Sequence, residues 1–150
     1  MPGPSTPASA LLRVEIPGEP VAQGRGRAIP TPAGIRVMDP PRARAWKGVA
    51  QVWMLQARLH AGIHAPFARP LAVTVEAYWP RPQALRGDGR PWRTSRPDAD
   101  NVAKAALDAG NGVLWLDDGQ VVVLTVRKQY AGREEPPRVV VLVEDVGEPA

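Results

Sequence analysis

The sequence predicts a single α+β domain that combines a mixed sheet of about four or five strands with two main helices. Its 150 residues match the commonest size of one domain. Apolar residues alternate with polar ones in the segments expected to be strands, and they recur every three or four residues in the segments expected to be helices. The predicted elements follow the order strand, loop, helix, strand, helix, strand, strand.

Four segments have the composition of strands. Residues 11–16 and Leu71–Trp79 alternate and each presents one apolar face, as half-buried strands do. Val121–Tyr130 is apolar on both faces at its start, which indicates a central strand. The short Gly/Pro-containing turn that follows it predicts a hairpin with the last strand, residues 138–144.

Two segments have helical spacing. In residues 42–60 the predicted apolar stripe holds Trp46, Val49, Val52 or Trp53, Gln56 and Leu59. The other face of this helix carries Arg44, Lys47, Gln51 and Arg58, and it either meets DNA or is simply solvated. In residues 100–110 the stripe is made of Val102, Ala105, Ala106 and Ala109.

The remaining segments are predicted to be tails and loops. Residues 1–10 are rich in Pro, Ser and Ala and are expected to be a disordered tail, residues 11–145 the domain, and residues 146–150 a second short tail. Residues 21–41 are expected to be a loop with one short extended segment at 35–38. Residues 80–96 form a long basic loop around an aromatic residue, and loops of this length are either functional or disordered.

The charge is basic, with 19 Lys+Arg against 15 Asp+Glu, and this balance favours a polyanionic partner. Basic side chains beside glycines or beside Trp92 are candidates for phosphate contact, although solvated loops explain them equally well; they are Arg25, Arg27, Arg93 and Arg96. The chain has no cysteine and no apolar run near the roughly 20 residues that span a bilayer. A soluble, cytoplasmic protein without a membrane partner is expected.

Five carboxylates lie within twenty-one residues of this basic chain: Asp98, Asp100, Asp108, Asp117 and Asp118. Each alone is explained by helix capping, by helix-face ion pairs or by a turn. Together they repel one another unless a cation offsets the repulsion. The aspartates of the last turn are expected to fold back towards the helix N-terminus at Asp98 and Asp100. This arrangement predicts an oxygen site for Mg²⁺, with Mn²⁺ as a substitute.

The same stretch resembles a known family. P-D-A-D-N-V-A-K-A-A-L-D-A at residues 97–109, W-L-D-D-G-Q-V-V-V-L-T-V-R-K at 115–128 and I-P-G-E-P-V-A-Q-G-R-G-R at 16–27 are similar to the RusA family of Holliday junction resolvases. Two departures stand out, since residues 109–115 are about one residue shorter than the family pattern and the basic loop is longer. The resemblance covers most of residues 11–144.

The resemblance implies a Mg²⁺-dependent endodeoxyribonuclease of DNA recombination and repair. It implies a homodimer that nicks two opposed strands of a four-way junction, with no small-molecule substrate. The implied catalytic residues are Asp98, Asp100, Asp118 and Lys104, and the three aspartates are the implied metal ligands, with Asp117 as a further candidate. Asn101 is expected to position the loop, Asp108 to pair with Lys104, and Lys128 to touch DNA.

Two other functions are compatible with the residues. One is a less selective, phage-type nuclease that acts on branched DNA. The other is a DNA-binding protein without catalysis, whose aspartates serve only capping and charge balance.

Overall fold

The computed structural model describes residues 9–23, 27–38 and 41–147; the first eight residues and the last three, where tails are predicted, lie outside this range, as does Arg25. The elements are β1 (Ala10–Pro17), β2 (Arg27–Thr31), β3 (Gly34–Met38), α1 (Pro41–His60), β4 (Leu71–Trp79), α2 (Ala99–Gly110), a 3-10 turn (Asp118–Gln120), β5 (Val121–Tyr130) and β6 (Arg138–Asp145).

Four strands form one mixed sheet in the order β1-β6-β4-β5. Strand β6 is antiparallel to both of its neighbours, whereas β4 and β5 are parallel and are joined through α2. The predicted α+β class, with a mixed sheet and two helices, is confirmed. The segment predicted as a loop before α1 contains a separate β2-β3 hairpin, and its short extended segment lies within β3.

The core lies between one face of the sheet and the two helices. Alternate residues of β1, β4 and β6 point into it, and they pack with α1 and α2. The predicted buried faces of β1 and β4 are confirmed, because Leu12, Val14 and Ile16 are buried, as are Leu71, Val73, Val75, Ala77 and Trp79. Each of these strands therefore fixes its register by keeping one apolar face out of water.

Two predictions about strand pairing are wrong. Strand β5 is not central, since it pairs with β4 on one side and lies at the edge of the sheet. Strand β6 does not form a hairpin with β5, because it is inserted between β1 and β4. The physical reason is that β6 is buried along nearly its whole length, at Val139, Val140, Val141 and Val143. A strand that is buried in this way has its backbone hydrogen-bonding groups satisfied only when another strand lies on each side of it.

Helix α1 has the predicted extent but buries a different face. Its buried residues are Trp46, Ala50, Met54 and Arg58, while Val49, Val52 and Leu59 of the predicted stripe are exposed. Arg58 was expected on the solvated face but is buried. Its guanidinium donates to the carbonyls of Ile63 (3.2 Å) and Val113 (2.7 Å). Those two bonds satisfy a charged group that would otherwise be costly to bury.

Helix α2 buries the predicted face, since Val102, Ala105, Ala106 and Ala109 are all buried against the sheet. Because three of these four residues are alanines, the helix lies close to its neighbours. Among the described residues, no helix is long and apolar enough to cross a membrane.

Candidate active site

Asp98 and Asp100 lie at the N-terminus of α2, where the basic loop enters the helix. Asp98 is the N-cap residue, and its carbonyl accepts hydrogen bonds from the N–H groups of Asn101 (3.1 Å) and Val102 (3.2 Å). Its carboxylate makes no capping hydrogen bond. Asp100 accepts one hydrogen bond through Oδ1, from the Asn101 N–H at 3.0 Å. The N-cap geometry is therefore built by the backbone, which leaves carboxylate oxygens available to a ligand.

The surroundings of these two carboxylates favour negative charge. Both side chains are exposed, and the positive end of the α2 dipole lies beneath them. Neither forms an ion pair with any residue in the described ranges. Two carboxylates that lie side by side at a helix N-terminus without an ion pair are ligands of the kind that a hard cation binds, together with water and phosphate oxygens.

Lys104 lies one helical turn beyond Asp100 and on the same side of α2. Its side chain is exposed, and no ion pair links it to Asp108 within the part of the chain that the structure describes. The expected pairing of Asp108 with Lys104 is therefore not found. The Asn101 carbonyl accepts from the N–H of Gln23 at 3.2 Å, and the loop-positioning role expected of the Asn101 side chain stays a prediction.

Asp117 has a structural role at the start of the 3-10 turn. Its Oδ2 accepts from the Gly119 N–H at 3.0 Å, and its own N–H donates to Gln120 Oε1 at 2.9 Å, so the two side chains close a capping box. Gln120 also donates to the carbonyls of Phe67 (2.8 Å) and Arg69 (3.0 Å). This network fixes the turn that carries Asp118.

Asp118 is half-buried and is held by two residues that the sequence reasoning missed. Its Oδ2 accepts from Asn111 Nδ2 at 3.4 Å, and Asn111 Oδ1 accepts from the Trp115 indole N–H at 3.1 Å. The shortened segment before Trp115 is a compact turn in which Gly112 has a φ of +75°. The Asn-Gly pair followed by a lone tryptophan was the available signal for this turn.

The two halves of the predicted metal site are separated within one chain. Asp118 contacts Asn111, the C-cap of α2, while Asp98 and Asp100 lie at the N-terminus of that helix. Helix α2 has 12 residues, which corresponds to about 18 Å at the usual rise per residue. The described residues contain no group of three or more His, Cys, Asp or Glu side chains that could hold a metal ion. The expected folding back of Asp118 onto the helix N-terminus is therefore wrong for a single chain.

The basic loop between β4 and α2 is anchored at many points. The Arg81 guanidinium donates to four backbone carbonyls, those of Arg86, Gly87, Gly89 and Ala131. Arg93 lies over the rings of Trp79 (4.6 Å) and Tyr130 (5.6 Å) and donates to the Arg96 carbonyl at 2.7 Å. Lys128 Nζ donates to the Ser95 carbonyl at 2.8 Å. Of the predicted DNA contacts, Arg93 and Lys128 thus already have partners inside the protein.

A second anchor joins the loop to the turn before β6. Arg90 and Arg138 both donate to the Glu135 carboxylate, at 3.1 Å and 2.9 Å. Burial acts to raise the pKa of Glu135, but the hydrogen bonds from the two arginines outweigh burial and hold that pKa below its ordinary value. This anchored loop leaves Trp92 on the outer surface with 65% of its area exposed, and Arg96 exposed beside it.

The carboxylates of Asp98 and Asp100 thus lie next to an arginine-containing loop that displays an aromatic ring. A family model described as endodeoxyribonuclease RusA matches residues 17–144, so the chain belongs to the RusA endodeoxyribonuclease family, a family of junction-resolving nucleases. The chain is also 32% identical over 146 residues to the uncharacterized protein YqaN of Bacillus subtilis (strain 168). That match covers 90% of this chain and 96% of YqaN.

Proposed function

We propose that this protein is a Mg²⁺-dependent endodeoxyribonuclease that resolves four-way DNA junctions as a homodimer, by paired nicks on opposed strands. The main support is the pair of exposed carboxylates at the α2 N-terminus, which forms no ion pair among the described residues and adjoins the basic loop. Membership of the RusA family supports the choice of DNA as the substrate.

The donor chemistry of the Asp98 and Asp100 pair suits Mg²⁺. This ion is held in phosphodiester-cleaving sites by one or two carboxylates, and waters and substrate phosphate oxygens fill the other positions. When bound, it supplies an activated water and neutralises charge that develops on the phosphate. Lys104, exposed one turn away, is placed to contact the same phosphate. Mn²⁺ has the same ligand preference and is expected to substitute.

Asp118 belongs to the proposed site only if the protein is a dimer. Within one chain the length of α2 keeps it from the other two aspartates. In a two-fold dimer, Asp118 of one copy is free to approach the helix N-terminus of the other. Paired nicking then follows from symmetry, since a two-fold protein presents two equivalent sites to the two strands of a junction.

The proposal is tested by comparing cleavage of a four-way junction, a flap and a linear duplex at equal protein concentration with Mg²⁺. We expect cutting of the junction and little cutting of the duplex. Equal cutting of all three substrates would instead identify the less selective nuclease of branched DNA. Tight binding without any cutting in Mg²⁺ or Mn²⁺ would identify a non-catalytic DNA-binding protein.

Trp92 is expected to contribute to DNA binding by stacking on an unpaired base at the branch point. Base stacking on an aromatic ring contributes about 1 to 3 kcal/mol. Trp92→Ala should therefore weaken junction binding roughly 10-fold, as measured by fluorescence anisotropy with labelled DNA. Trp53 is the matched control, because it is also an exposed tryptophan, at 41%, but lies on α1. An equal loss of affinity in Trp53→Ala would show that the effect is not specific to the basic loop.

A further inference from the structure

The outer side of β5 is an open strand edge over its first half. At its second half the basic loop covers the edge, since the Arg93 N–H donates to the Lys128 carbonyl and the Tyr130 N–H donates to the Pro91 carbonyl, both at 2.9 Å. Backbone groups alternate in direction along a strand. The N–H and C=O groups of Leu124 and Val126 therefore also point away from β4, and they have no backbone partner among the described residues.

The side chains of this open edge are apolar on both faces. Val122, Val123 and Leu124 are exposed by 60%, 52% and 43%, and Leu116 just before the turn is exposed by 60%. The six residues from Val121 to Val126 carry no charge. Natural proteins usually protect an edge strand with charges, proline or a covering element. An uncharged edge strand with two apolar faces has instead the composition of a strand that is paired on both sides.

We infer that β5 pairs in antiparallel fashion with β5 of a second copy, so that two four-stranded sheets become one continuous sheet across the dimer. This inference rests on the proposed homodimer and names its interface. A two-fold axis near Leu124 and Thr125 makes the contact self-complementary, because each copy offers the same outward N–H and C=O groups to the other. The same pairing covers part of the apolar side chains on both faces, because each gains cross-strand neighbours.

The charges at the two ends of β5 favour a second copy as the occupant. The strand is preceded by Asp117 and Asp118 and ends near Arg127 and Lys128. Antiparallel pairing therefore places the acidic end of each strand beside the basic end of the other. At that basic end the cations Arg93, Arg96, Arg127 and Lys128 outnumber the anions Asp98, Asp100 and Glu76, the last of which pairs with Arg127 at 3.8 Å. Parallel pairing of the two strands would instead juxtapose like charges, which is unfavourable.

The test introduces a charge at the middle of the edge. In the isolated chain Val123 is half exposed, so Val123→Glu should fold normally, as circular dichroism will show. In the dimer it places two carboxylates near the symmetry axis, which should weaken dimerisation about 100-fold. The wild type is expected to elute with about twice its chain mass of 16.2 kDa in size exclusion with light scattering, and Val123→Glu as a monomer.

A matched control lies on the other exposed apolar surface. Val52 on α1 is exposed by 56%, and Val52→Glu should remain a dimer. A second β5 variant, Leu124→Pro, removes an outward N–H that the isolated sheet does not use, and it should also be monomeric. A dimeric Val123→Glu or a monomeric Val52→Glu would overturn the β5 interface, and so would a wild type that stays monomeric with and without junction DNA. A wild-type dimer that is lost in Val123→Glu but cuts no DNA would keep the interface and refute the proposed activity.

Discussion

Replacing Trp115 with alanine is expected to lower the free energy of unfolding by about 3 to 5 kcal/mol, the usual cost of emptying a large aromatic site in a core. Trp115 is fully buried, and its ring lies so close to Gly110 that a Cβ atom there would approach Cζ2 to 2.2 Å. The residue also donates to Asn111, which in turn holds Asp118. Its loss should therefore loosen the Asp118 turn as well as the core.

Urea unfolding followed by circular dichroism measures this effect. Trp92→Ala is the control, because the exposed Trp92 side chain should change the free energy of unfolding by less than about 0.5 kcal/mol. If Trp115→Ala lowered the free energy of unfolding by less than about 1 kcal/mol, the turn after α2 would not depend on this packing.

Asp98→Asn is expected to abolish junction cleavage while leaving junction binding intact or tighter. The substitution keeps the shape of the side chain and the backbone N-cap, since Asp98 caps α2 through its carbonyl. It removes a carboxylate from the proposed metal site and one negative charge from the surface proposed to bind DNA. Loss of a metal ligand should reduce the cleavage rate by roughly 100-fold or more. Single-turnover cleavage and anisotropy on the same junction measure the two effects separately.

A mixture of two inactive variants tests whether the site is shared between copies. Asp118→Asn should also bind the junction without cutting it. If Asp118 acts on the partner's site, an equimolar mixture of Asp98→Asn and Asp118→Asn that exchanges subunits regains one intact site per mixed dimer. That mixture should nick one strand of each junction. A mixture that remains inactive despite subunit exchange would contradict a shared site.

The local patterns in the sequence predicted much of the fold. Strands β1 and β4 alternate over most of their length, so burial of one face indicated both their extent and their orientation. The same holds for α2, whose small apolar residues recur on one side only. Helix α1 differs because Val49, Val52, Leu55 and Leu59 make it apolar on the outside as well. Its periodicity therefore indicated a helix without indicating which side faces the core.

The pairing of the strands and the distances between residues far apart in sequence were predicted less well, because neither depends on local patterns of apolar residues. The apolar character of β5 correctly indicated a strand, but a single chain leaves it at the edge. The spacing of the aspartates indicated a hard-cation site, but not that α2, the crossover helix between the parallel strands β4 and β5, lies between them. A crossover helix separates residues at its two ends, and sequence distance alone does not reveal this. The buried role of Arg58 depended on the distant Val113 carbonyl and had no sequence signal.

The most direct test of the account is to map the nicks made in a synthetic four-way junction by the wild type and by Asp98→Asn, with Mg²⁺ and with EDTA. We predict symmetrical nicks on two opposed strands that require both Mg²⁺ and Asp98. Cutting that persists in EDTA, or in Asp98→Asn at the wild-type rate, would contradict a metal site at the N-terminus of α2.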